Sequence, residues 1–166
     1  IDSTSRDALL GLAACENKLG HPEKSMDYYR TALQNNPEDD VALAGMLQLS
    51  KPENSIQSIS LFKHQLEKNK NSAILHYALG NLYAKEKNWA EACYHYENSV
   101  EISPLNPDYT YNLAVCYDQV QNTEKALTYY RLAIQNIKNR DYNFNAQEAM
   151  QRLQHLEKSI RIKTDE

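Results

Sequence analysis

Glycine and proline are scarce in this chain, four of one and five of the other in 166 residues. A sandwich or barrel would need turn residues at roughly every ten positions, so an all-β fold is excluded and the long stretches between breakers favour helices. Cysteine is also sparse. Cys15, Cys93 and Cys116 are odd in number, show no C-x-x-C spacing and have no His-x-x-x-His companion. A chain of this length can bury a substantial core without metal or disulfide staples. No run of about 18 apolar residues is present to span a bilayer, so no membrane insertion is expected. The opening "IDSTSRDALL" lacks the charged and apolar regions of a signal peptide. Because it begins at Ile1 rather than methionine, its ends say nothing about an anchor or signal on a parent protein. Positive charge is in deficit, with a net charge of −4 and a pI near 5.8, and no stretch clusters Lys and Arg among stacking aromatics. Nucleic acid is therefore excluded as an expected partner.

What is present is an ordinary apolar fraction of 42% and a charged fraction of 24%, the composition of a chain that folds. It also repeats itself. Tyr77, Leu79, Tyr83, Asn88, Ala92 and Tyr96 return 34 residues later as Tyr111, Leu113, Tyr117, Asn122, Ala126 and Tyr130. A period of that length marks a stack of helix-turn-helix units. One apolar slot of each first helix holds Leu12, Met46, Leu79 and Leu113, followed by Ala13, Leu47, Gly80 and Ala114. Each second helix carries Ser25, Ser58, Ala92 or Ala126, then Tyr29, Phe62, Tyr96 or Tyr130, then Ala32, Gln65, Ser99 or Ala133. Steps of four and three keep those residues on one helical face, with a small residue making room for the aromatic beside it. Pro22 near a helix start, Thr123 as a cap, and Pro37 and Pro104 after helix ends supply the punctuation.

Slot by slot, the cysteines have a plain role. Cys15 and Cys116 stand where Leu49 and Leu82 stand elsewhere, and Cys93 shares a slot with Met26, Ile59 and Leu127. All three are expected to behave as small apolar core residues. His21, His64, His76, His95 and His155 are dispersed, with no pair at metal-ligating spacing. No G-x-S-x-G elbow, phosphate-cradling glycine loop or His-Glu pair organises a mechanism. The chain is expected to have no catalytic residue, metal or cofactor, and not to be an enzyme. "ENSI" at 53–56 is not a glycosylation sequon, since Ile56 is neither Ser nor Thr.

These small-residue and aromatic slots, with the helix-ending prolines, resemble the tetratricopeptide repeat family over about four fifths of the chain. The resemblance implies an all-α, right-handed superhelical solenoid of about four helix-turn-helix units. They are expected at residues 6–39, 40–72, 73–106 and 107–140, after a disordered start at 1–5. The unit at 40–72 is degenerate: one residue short between Ser50 and Ser58, with Gln65 in a small slot and Lys70 where proline is common. Other departures are Glu16 in the slot of Tyr83 and Tyr117, His76 and Thr110 in a slot that is usually large and apolar, and Lys138 in place of proline. Residues 141–166 are expected to form a capping helix and tail. There Ala149, Leu153, Leu156 and Ile160 make an apolar stripe, while Gln151, Arg152, Gln154 and Lys158 face elsewhere.

In the resembled family the first helices line a concave groove that receives a peptide or partner helix. Matching positions include Leu10, Gly11, Ala14, Lys18, Ala44, Gly45, Ala78 and Val115, and the polar or aromatic set Gln48, Tyr77, Asn81, Lys85, Tyr111, Asn112 and Gln119. Asn81 and Asn112 match asparagines that bond a ligand backbone, for which a carboxamide suits because it both donates and accepts. Tyr77 stands where a terminal-carboxylate clamp would place lysine, so backbone recognition is expected instead. The alternative is that these side chains belong to a solvated, unused face. The expected function is protein–protein interaction through a partner peptide in the groove. A structural role in assembling a larger complex, through terminal or convex faces, stands beside it. "LHYALGNLYAKEKNW", "NPDYTYNLAVCYDQ" and "ALTYYRLA" loosely resemble repeat domains of type IV pilus and surface-appendage assembly proteins. A monomer is expected, with a homo-oligomer as the alternative. The compartment is open: a soluble domain, cytoplasmic by default and periplasmic if part of a pilus-assembly protein.

Overall fold

The computed structural model describes residues 5–36, 39–49 and 55–164. Among them every regular element is helical. The order is α1 Arg6–Lys18, α2 Pro22–Asn35, α3 Asp40–Leu49, α4 Ser55–Lys68, α5 Ala73–Lys85, α6 Trp89–Ile102, α7 Pro107–Gln119, α8 Thr123–Asn136 and α9 Ala146–Thr164, with a 3-10 turn at Ile137–Asn139. The all-α expectation holds. Residues 1–4 of the expected disordered start, Pro37, Ser50 and the side chains of Leu47 and Ile56 lie outside the described residues. The chain divides into two compact units, residues 1–78 and 79–166.

Three first helices end in the same way. The amides of Gly20, Lys87 and Gln121 donate to the carbonyls of Asn17, Ala84 and Asp118, and the next amides, of His21, Asn88 and Asn122, reach back to Glu16, Tyr83 and Tyr117 at 2.9 Å each. This double bond pattern needs a left-handed residue, and φ is 79° at Gly20, 57° at Lys87 and 61° at Gln121. The residue that completes the stop then starts the next helix. Asn88 Oδ1 accepts from the Glu91 amide at 3.4 Å and Asn122 Oδ1 from the Lys125 amide at 3.2 Å. The cap of α8 is thus Asn122, one residue before the expected Thr123, which forms the first helical turn. Pro22 opens α2, where a missing N–H costs nothing.

In the first unit, Leu9, Ala32 and Ala42 form a buried cluster with Leu10, Tyr28, Tyr29 and Leu33 against it. Ser25 is buried and its hydroxyl donates to the Ala13 carbonyl at 2.7 Å, fastening α2 to α1. The start of α3 is held by Asp39, which is buried. Its Oδ1 accepts from the amides of Val41 (3.1 Å) and Ala42 (3.0 Å), and its carboxylate takes Nε of Arg6 at 2.5 Å. Gln65, a misfit by slot, is buried all the same, as are Ser58 and Phe62. Leu12 is 38% exposed although the equivalent Leu79 and Leu113 are fully buried.

In the second unit, Leu79, Ala92, Leu113, Ala114, Ala126 and Ala133 are buried, and so are the aromatic residues Tyr96, Tyr117 and Tyr130. Thr110 suits its apolar slot by donating to the carbonyls of Asn106 and Pro107, both at 3.1 Å. Helix α9 lays Ala149 and Leu156 inward, with Leu153 and Ile160 half-buried. Its polar side is not idle. Arg152 forks onto Asp118 with Nε–Oδ2 2.6 Å and Nη2–Oδ1 2.7 Å, and Glu157 accepts from Arg131 at 2.7 Å.

The expectation that all three cysteines are separate apolar core residues also fails. Cys93 and Cys116 are joined by a disulfide with their Cα atoms 5.6 Å apart, and Cys15 is exposed. Only Cys116 is fully buried, with Cys93 half-buried. Slot equivalence shows which residues line an interface, but it does not show that slots on adjacent helices face one another, as these two do across α6 and α7.

Candidate functional site

The site grows out of a missing side chain. Gly80 lets the ring of Tyr96 lie against α5: a Cβ on Gly80 would come within 2.5 Å of Tyr96 Cε1. The ring crosses the helix there, and its hydroxyl emerges beside the next residue, donating to Asn81 Oδ1 at 2.8 Å. From α7, Asn112 Nδ2 approaches the same oxygen at 3.4 Å. Two of the sequence-expected residues therefore meet, on an oxygen already fixed by a buried tyrosine. Lys85 and Gln119, near the ends of α5 and α7, are exposed.

Tyr111 has a different environment. Its ring stacks on Phe144, centroids 4.1 Å apart and planes 5° from parallel, and meets Tyr130 edge-on at 6.0 Å. Tyr142 adds a tilted contact to Phe144 at 5.2 Å. Burial, then the charge of Glu148, pushes the Tyr111 hydroxyl above its ordinary pKa. The segment that carries Phe144 is pinned by Asn143, whose backbone amide and Nδ2 donate to Asp108 at 2.7 and 2.8 Å. Beyond it, Asn145 Oδ1 caps α9 through the amides of Gln147 and Glu148. One face of Tyr111 is thus occupied by the chain itself.

The second unit also holds two polar clusters that the repeat pattern did not single out. Tyr130 Oη donates to Asp118 at 3.3 Å, the carboxylate also held by Arg152, and burial raises the tyrosine far above its usual range. Tyr117 donates to Glu97, and Lys125 reaches the same hydroxyl at 3.0 Å while lying 4.6 Å from the ring centroid. The only signal either cluster leaves in the sequence is a carboxylate directly after an aromatic slot, Glu97 after Tyr96 and Asp118 after Tyr117. The remaining expected residues belong to the first unit, where Gln48 is exposed and Tyr77 half-buried.

Among the described residues, no group of three or more His, Cys, Asp and Glu is placed to hold a metal, and no helix is long and apolar enough to cross a membrane. Around Asn81 the structure assembles two carboxamides and a tyrosine hydroxyl on one shared oxygen.

A stack of helix pairs with polar side chains meeting across successive first helices defines a repeat protein of the interaction class. Family models described as tetratricopeptide repeat match residues 71–139 and 7–39, together more than half of the chain, which belongs to that family. No curated protein matches. Among solved structures, the chain is similar to TTC0263, a thermophilic TPR protein of Thermus thermophilus, at 18% identity and TM-score 0.73, covering 93% of this chain and 82% of that one. It is also similar to MamA residues 41 to the end from Desulfovibrio magneticus RS-1, at 19% identity and TM-score 0.57 over 93% of this chain and 96% of that one. These likenesses speak to the fold.

Proposed function

We propose that the chain is a non-enzymatic interaction module that binds an extended segment of another protein across α7 and the C-terminal part of α5, in its second unit. Asn81 would grip the ligand backbone, Asn112 would assist it, and Tyr111, Lys85 and Gln119 would flank them. In the first unit, Tyr77 and Gln48 are the candidate contacts. The observation that carries this reading is the shared oxygen of Asn81. Engaged by Tyr96 and approached by Asn112, it fixes the carboxamide orientation, so that the Asn81 Nδ2 group is left to donate to an incoming carbonyl. A donor held by packing loses little entropy on binding.

The test is capture from a lysate of the source organism on immobilised wild type beside an Asn81→Ala/Asn112→Ala variant, with circular dichroism confirming equal folding. A protein held by wild type and lost by the variant supports the groove; equal capture by both overturns it.

A second reading, assembly through a terminal face, is favoured by α1. Leu12 and Leu19 are 38% and 68% exposed there, whereas Leu79 and Leu113 in the slot of Leu12 have no exposure. The pilus or surface-appendage setting belongs to this reading. Light scattering over a concentration series tests it: a monomer throughout would count against self-assembly.

A further inference from the structure

Cys93 and Cys116 sit on α6 and α7, the second helix of one pair and the first of the next. Their Cα separation of 5.6 Å lies within the ordinary range for a disulfide, so the bond forms without moving either helix. The two helices are joined in sequence only by the short turn from Ser103 to Asn106, and the disulfide adds a second tie about two and a half turns along α7 from its start. Its position matters because of what shares its faces. Tyr96 follows Cys93 by three residues, and Asn112 precedes Cys116 by four, so each lies on the same face of its helix as the cysteine. Those two side chains converge on Asn81 Oδ1.

We infer that Cys93 and Cys116 form a redox-governed tie that sets the spacing of α6 and α7 and so holds the Asn81 site in register. In part this rests on the groove reading above, which gives that register its use. The bond forms by thiol–disulfide exchange with a small disulfide such as oxidised glutathione. The half-buried Cys93, as thiolate, attacks one sulfur of the small disulfide and releases one glutathione thiol. The fully buried Cys116 loses its proton and displaces the second glutathione from Cys93. Two protein thiols become one disulfide, and one small disulfide becomes two thiols, carrying away both electrons and both protons. Reduction runs in reverse and starts at Cys93, since Cys116 has no exposed surface. Such bonds persist in oxidising compartments and are lost in reducing ones. The tied form, and the partner it recognises, belong to an oxidising setting.

The experiment uses a Cys15→Ser background, which removes the exposed third thiol. Protein equilibrated in oxidised or reduced glutathione is acid-quenched, unfolded, alkylated and weighed. No label in the oxidised sample and two in the reduced sample is the expected result; two labels in both, or glutathione adducts in place of the bond, overturns the tie. Amide exchange of the native protein is then compared in both states. Exchange in α7 around Asn112 should be at least about tenfold faster after reduction. Equal exchange overturns the coupling to the site. A Cys93→Ala/Cys116→Ala variant, insensitive to glutathione, should match the reduced form. None of these readouts needs a ligand, so a failed capture experiment would remove the groove reading and leave the bond's formation to be judged by mass alone.

Discussion

The ring of Tyr96 occupies the space that a side chain on Gly80 would need, with Cε1 2.5 Å and Cδ1 2.6 Å from where the Cβ would stand. Gly80→Ala should therefore overpack the contact between α5 and α6 and cost about 1–3 kcal/mol. Gly11 on α1 is the control: nothing lies within 4 Å of its missing Cβ. Gly11→Ala should stabilise by about 0.5–1 kcal/mol through helix propensity alone. Urea unfolding of the two variants gives opposite signs if the contact is the cause; a loss in both would remove the packing argument.

Tyr96 itself separates packing from hydrogen bonding. Tyr96→Phe keeps the ring and loses the 2.8 Å bond to Asn81, for a cost of about 1 kcal/mol. Tyr96→Ala should cost about 3–5 kcal/mol, since the side chain is buried. Equal losses in the two variants would mean that the hydroxyl, not the ring, dominates.

The turn between α7 and α8 makes a sharper demand. Gln121 has φ of 61°, a left-handed conformation that costs a residue with a Cβ about 1 kcal/mol. Gln121→Gly should recover about that amount, because no other part of the double bond pattern changes. Asn122→Ala should lose about 1 kcal/mol with the cap, while Thr123→Ala should stay within about 0.5 kcal/mol. Equal effects at Asn122 and Thr123 would return the cap to the later residue.

These residues show what the sequence could and could not reveal. Helix periodicity, the small slot at Gly80 and the aromatic slot at Tyr96 are local and repeat, so they are legible. Asn88 and Asn122 also repeat, but repetition does not disclose that one residue ends a helix and caps the next, because that depends on backbone bonds. Asn81 and Asn112 are identified by position, whereas their meeting depends on the distance between helices. Phe144 and the disulfide escape for the same reason: each joins segments whose contact no local pattern encodes. The slot pattern makes Cys93 and Cys116 separate apolar residues, and only packing places them face to face.

His76 supplies a pH prediction for the first unit. Burial lowers its pKa below 6.5, opposed in part by a backbone hydrogen bond with Lys70. The folded value is depressed, so above the unfolded value both states are neutral and the group costs nothing. As pH falls below 6.5 the unfolded chain takes up the proton first, and stability declines until the folded pKa is passed. The urea midpoint of wild type should drop between pH 7.5 and pH 5.5 by more than that of His76→Leu. Parallel pH profiles would place the titration elsewhere.

Phe144 gives the last test, because it closes one face of a residue expected to contact ligand. The stack on Tyr111 is nearly parallel at 4.1 Å, and half-burial of Phe144 adds an apolar contribution that any bulky side chain would keep. Phe144→Leu should lose only the ring–ring part, about 0.5–1.5 kcal/mol. Phe144→Ala loses the apolar part as well, so its cost must exceed that of the leucine variant. The stacking energy is then isolated by repeating both changes in a Tyr111→Leu background. There the cost of Phe144→Leu should shrink toward zero, since no ring remains to stack on, while the cost of Phe144→Ala should persist in part. An undiminished cost of Phe144→Leu in that background would mean that Phe144 is held by its other neighbours, Tyr142 among them, and that Tyr111 is less covered than the 4.1 Å stack implies.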